Sequence, residues 1–77
     1  MLKELFDIEM AYLNAESNSH EELDLRKEYF KLLDEMREKY GEDIDMFDEL
    51  ISIACYNEKT YEQTLNAYKA LGGDINV

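Results

Sequence analysis

No proline interrupts this chain, and its three glycines fall at two places only, Gly41 and the pair Gly72-Gly73. Proline and glycine are the strongest local breakers of regular structure. Between those two places every stretch is free to stay helical, provided its apolar residues recur at helical spacing. They do. The expectation is an all-α fold: a small bundle of four helices arranged as two helix pairs, forming a single domain over residues 1–77.

Helix one is predicted over about Leu2 to Ala15. Leu2, Leu5, Phe6, Ile8, Tyr12 and Leu13 share a stripe that Met10 widens. The small polar run Asn14 to Ser19 ends it. Ser19-His20-Glu21-Glu22 is a capping box, with Ser19 accepting from the Glu22 N–H and Glu22 reaching back to the Ser19 N–H. Helix two then runs from His20 to about Tyr40, with Leu25, Tyr29, Leu32, Leu33, Met36 and Tyr40 inward. Gly41 is its stop. Helix three is expected from near Asp45 to near Asn57. Ile44, Phe47, Leu50, Ile51, Ala54 and Cys55 make its face, and Met46 and Ile53 widen it beyond half the circumference. Such a helix is usually the central one. Thr60-Tyr61-Glu62-Gln63 is a second capping box. Helix four follows, with Tyr61, Leu65, Tyr68 and Leu71 inward, and Gly72-Gly73 closes it.

The chain partly repeats itself. Gly41-Glu42-Asp43-Ile44-Asp45-Met46 matches Gly72-Gly73-Asp74-Ile75-Asn76-Val77 as G-x-D-I-[DN]-apolar, and Glu4 to Ile8 is similar to Glu49 to Ile53. Two helix-pair units follow, about residues 4–46 and 49–77, each needing the other to complete a core. Leu50-Ile51-Ser52-Ile53-Ala54-Cys55 and Leu71-Gly72-Gly73-Asp74-Ile75-Asn76 resemble a degenerate ankyrin repeat. Glu49 and Ser52 stand where that family has Pro and His, and the hairpin between repeats is almost deleted. The resemblance implies a protein-binding scaffold without catalytic activity. The same G-x-D pattern also follows from helix-stop chemistry alone.

The stretch GEDIDMFDEL, residues 41–50, carries five acids. A calcium loop would need oxygen ligands at alternate positions, a central glycine and a closing glutamate. Counted from Asp43, Phe47 takes a ligand position, Asp48 replaces the glycine and Ala54 replaces the glutamate, so the pattern fails. A lone Cys55 and a lone His20, on different helices, do not make a zinc site. No phosphate loop and no nucleophile constellation is present. No enzyme activity, metal or cofactor is expected. Glu9 is the one misplaced acid, falling between Phe6 and Leu13 in the apolar stripe of helix one.

Charge carries the functional expectation. The formal net charge is −11, from nineteen acids against eight bases. Direct binding to nucleic acid or to anionic membranes is therefore disfavoured, and a partner with a basic surface is favoured. No stretch is apolar enough to span a membrane. The opening MLKELFDIEM has acids where a signal peptide needs an apolar run, so a cytoplasmic location is expected. Seven acids and no base lie between Lys3 and Arg26, and six acids and no base between Lys39 and Lys59. Packed side by side, helices one and three would join Asp7, Glu9, Asp45, Asp48 and Glu49 into one acidic band with Tyr12 and Tyr56 beside it. Rigid aromatic anchors next to carboxylates are good interface chemistry. The expectation is a protein–protein interaction module: a small acidic inhibitor occupying the basic surface of a partner, possibly a nucleic-acid-binding protein. In charge and size it is similar to small phage-encoded inhibitors of restriction and CRISPR systems, with no shared motif. The alternative is an ankyrin-like adaptor, or a homodimer formed through helix three, with acidity serving solubility alone.

Overall fold

In a computed structural model, which describes residues 2–75, four helices follow one another: α1 (Leu2–Asn14), α2 (His20–Tyr40), α3 (Asp43–Tyr56) and α4 (Tyr61–Ala70). At two of the three junctions the start of the next helix is written in side chains. Ser19 and Thr60 are extended residues whose hydroxyls accept from the Glu22 and Gln63 N–H groups, each at 3.1 Å. The Thr60 box closes fully, because Gln63 Oε1 accepts from the Thr60 N–H at 2.9 Å. The Ser19 box is shifted by one residue. Glu22 Oε1 accepts from the Asn18 N–H at 3.2 Å, since the Ser19 N–H already donates to the Glu16 carbonyl.

Helix ends use the left-handed backbone region. The Lys59 and Glu58 N–H groups return to the Ala54 and Cys55 carbonyls at the end of α3, and the Gly73 and Gly72 N–H groups return to Tyr68 and Lys69 at the end of α4. Both are Schellman closures. The left-handed residue is Gly72 at φ 94° in one and Glu58 at φ 56° in the other. Gly41, at φ 73°, reverses the chain after α2. α3 therefore starts at Asp43, two residues ahead of expectation. Its N-cap Glu42 is already helical and makes no side-chain cap bond. Asp43 and Asp45 lie in its first turn, where negative charge suits the positive end of the helix.

α3 is the hub. It packs against α1, α2 and α4, while α1 also packs along α2. The pairs α1–α2 and α3–α4 thus share one core, with Leu2, Leu5, Ile44, Phe47, Ile51 and Tyr68 fully enclosed. Phe47 and Tyr68 meet edge to face with ring centroids 5.2 Å apart, an arrangement that adds to burial. The repeated glycine motif does the same job twice: a positive-φ glycine reverses the chain, and Ile44 or Ile75 returns into the core. Asn76 and Val77 of the second copy lie outside the described residues. Leu71, expected inward, is 63% exposed, because it is the cap residue at the end of α4 and no longer follows the helical stripe. Among the described residues, no helix is long and apolar enough to cross a membrane.

Candidate functional site

The seven residues expected to form one acidic band separate into three groups. The first is internal. Glu9 lies four residues after Leu5 and three after Phe6, on the buried face of α1, and is only 5% exposed. Arg26 of α2 reaches in, its Nη1 lying 3.5 Å from Glu9 Oε1. The flat guanidinium also covers the Tyr12 ring at 3.7 Å from the centroid, with the Phe30 ring at 5.5 Å. Next to them the buried Tyr29 hydroxyl donates to Asp48 of α3. Glu9, Tyr12 and Asp48 thus belong to a polar knot where α1, α2 and α3 meet. Glu9 is not part of the exposed surface.

The electrostatics of this knot follow from its burial. Desolvation raises the Glu9 carboxyl above its ordinary value; the Arg26 charge pulls it back and the Asp48 charge pushes it up again. Burial and the hydrogen bond to Asp48 raise the Tyr29 phenol far above its usual range. The Cys55 thiol is pushed up to about 11, by burial first and the Glu9 charge second. A buried thiol held protonated is a poor nucleophile.

The second group is Asp7 alone. It stands two positions from Glu9, so it points away from the knot, and it pairs with Lys3 at 2.8 Å on the exposed side of α1.

The third group is the outer edge of α3. Asp45, Glu49, Ser52 and Tyr56 recur at four, three and four residues and make one stripe. Asp45 is not without a base: Arg37 comes back across the Gly41 turn and holds it, Nη2 to Oδ1 at 2.6 Å. The same guanidinium pairs with Asp34 at 3.3 Å. Glu49 makes no ion pair with a described residue. Tyr56 is 79% exposed, and Ile53 beside it 62%. Of the expected site residues, the fold brings together Asp45, Glu49 and Tyr56 as an accessible set.

Beside this edge runs a shallow apolar groove between α3 and α4, lined by Leu50, Ile53, Ala54, Thr64 and Ala67, with Lys59 and Gln63 at one end. The sequence holds a trace of it in the excess apolar width of helix three: Met46 packs on the core, but Ile53 does not. Arg26 and Tyr29, the partners inside the knot, are not marked by any motif. Among the described residues no cluster of His, Cys, Asp or Glu is arranged to hold a metal ion. No protein-family model matches the chain, and no curated protein or solved structure matches it at a significant level.

Proposed function

We propose that this protein works by binding, without catalysis, as a small acidic inhibitor that covers a basic, nucleic-acid-handling surface of a protein partner, in the manner of phage anti-defence and DNA-mimic proteins. The observation that carries this reading is the outer edge of α3. There Arg37 fixes the Asp45 carboxylate, Glu49 is left unopposed, and Tyr56 stands almost fully exposed on the same stripe. A fixed carboxylate and a rigid ring lose little entropy on binding. The net charge of −11 supplies long-range attraction to a cationic surface and speeds encounter.

Glu49 and Tyr56 are the residues to test, because Asp48 is tied to Tyr29 and its loss would disturb the core. A tagged pull-down from host lysate at low and high salt, followed by mass spectrometry, should retain a basic protein at low salt only. The variant Glu49→Lys with Tyr56→Ala should lose it while melting as the parent does. Retention indifferent to both salt and the double change sinks the reading.

A further inference from the structure

We propose that the α3/α4 groove is the anchoring site of a short amphipathic helix of that partner, apolar on one face and basic along its flank. The inference rests on the protein-binding reading above and divides its labour: the acidic edge steers, the groove holds.

Leu50 and Ile53 stand three residues apart along α3, on one face of the helix, and form one wall. Thr64 and Ala67, three residues apart on α4, form the facing wall. Leu50 also packs on the core and Thr64 is buried, but Ile53, the largest side chain at the rim, takes no part in the core and is 62% exposed. Between the walls lies Ala54, a small residue that lets another backbone come close. A wall of apolar residues in a groove of this form takes a helix presenting side chains at i, i+3, i+4 and i+7.

Charge and size select the occupant. The α3 wall is bordered by Glu49, and at its start by Glu42 and Asp43, all exposed. Among the described residues, the only charged one lining the groove is Lys59, at the opposite end. A helix with Lys or Arg along the flank facing Glu49, and no cation at the end facing Lys59, matches that layout. A second copy does not, because each copy brings a net charge of −11 to the contact. The groove is also short. α4 has ten residues, so its wall is about 15 Å long. That admits about three helical turns and falls well below the roughly 1,600 Å² that stable subunit interfaces bury.

Two synthetic peptides of equal charge and about 14 residues provide the probe. One is an amphipathic leucine/lysine helix, and the other replaces its leucines by glycine. Each is titrated into isotope-labelled protein while the amide NMR spectrum is followed. The amphipathic peptide should shift Leu50, Ile53, Ala54 and Ala67 and saturate. The glycine peptide should shift only acidic positions such as Glu42, Asp43 and Glu49, weakly and reversibly with salt. Ile53→Asp should raise the Kd of the amphipathic peptide by at least about tenfold, mostly through faster dissociation, and Ala67→Glu should do the same. Glu49→Lys should instead slow association several-fold. If both peptides shift the same acidic residues and Ile53→Asp leaves Kd unchanged, the groove is not the anchor and the acidic edge still stands. If neither peptide binds, the attraction to basic partners falls as well. Groove amides that shift with protein concentration alone would mean that a second copy fills the groove, and would overturn the proposal.

Discussion

Arg26 holds Glu9 at 3.5 Å inside the junction of α1 and α2, and its guanidinium lies over the Tyr12 ring at 3.7 Å. This pair has consequences for pH. Burial raises Glu9 above its ordinary value, with Arg26 opposing and Asp48 reinforcing. The folded state therefore binds the Glu9 proton more tightly than the unfolded state. Its stabilising effect is fully present below the unfolded value of 4.5 and is lost as pH rises through the folded one. Glu9→Gln keeps the shape and removes the titration. Denaturant midpoints of parent and Glu9→Gln, measured over the mildly acidic range, should show the parent gaining relative to the variant as pH falls. Parallel curves would mean that Glu9 titrates normally.

Removing Arg26 leaves a carboxylate inside without its partner. Fully buried pairs lose about 3–5 kcal/mol when one member is deleted. The Arg26 side chain is 35% exposed, which lets water reach the pair, so Arg26→Ala should cost about 2 kcal/mol at neutral pH. Neutralising Glu9 in the same molecule should recover part of that loss. Chemical denaturation of the two singles and the double gives the coupling directly. A double variant as unstable as the sum of the singles would reduce the pair to mere proximity.

These contacts mark where the sequence stops being legible. The helices can be read because their causes are local: Ser19 and Thr60 cap, Gly41 and Gly72 stop, and the apolar stripes keep helical spacing. The start of α3 was displaced by two residues because Glu42 enters it in helical conformation, with no side-chain bond to announce the junction. Glu9 stood out as an acid in an apolar stripe, but its partner lies seventeen positions away, and Tyr29 lies nineteen from Asp48. Such pairs depend on how helices pack, which periodicity does not specify. The stretch around Asp45 holds no base along the chain, yet the Gly41 reversal returns Arg37 to it in space. Charge read in one dimension thus overstated the exposed negative edge, and three dimensions reduced it to Glu49 and its neighbours.

The turn after α4 is closed by an aromatic ring. Gly73 lies against the face of Tyr68, so that a Cβ there would overlap the ring. Tyr68 has no room to yield: it is fully buried, packs on Phe47, and its hydroxyl accepts from the Ile75 N–H at 3.0 Å. Gly73→Ala should cost about 2 kcal/mol through this overpacking. Gly72→Ala meets nothing in space, but at φ 94° it should cost about 1 kcal/mol through its backbone alone. Thermal melts of both variants should rank them in that order, and the reverse order would mean that the tail lifts off Tyr68 freely.

Glu58 occupies the position in the α3 closure that Gly72 occupies in the α4 closure. Its N–H returns to the Cys55 carbonyl, and the next N–H, from Lys59, returns to Ala54 at 2.9 Å. At φ 56° a residue with a Cβ is held in the left-handed region, which disfavours side chains by about 1 kcal/mol. Glu58 is exposed and makes no ion pair with a described residue, so its side chain gives little back. Glycine there removes the strain but frees the unfolded chain, which offsets part of the gain. Glu58→Gly should therefore stabilise the fold by about 0.5 kcal/mol. Glu58→Ala, which removes the carboxylate and keeps the Cβ, should change stability little. Equal gains from the two variants would show that the cause is charge repulsion within this acidic chain, and that backbone strain at residue 58 is absent.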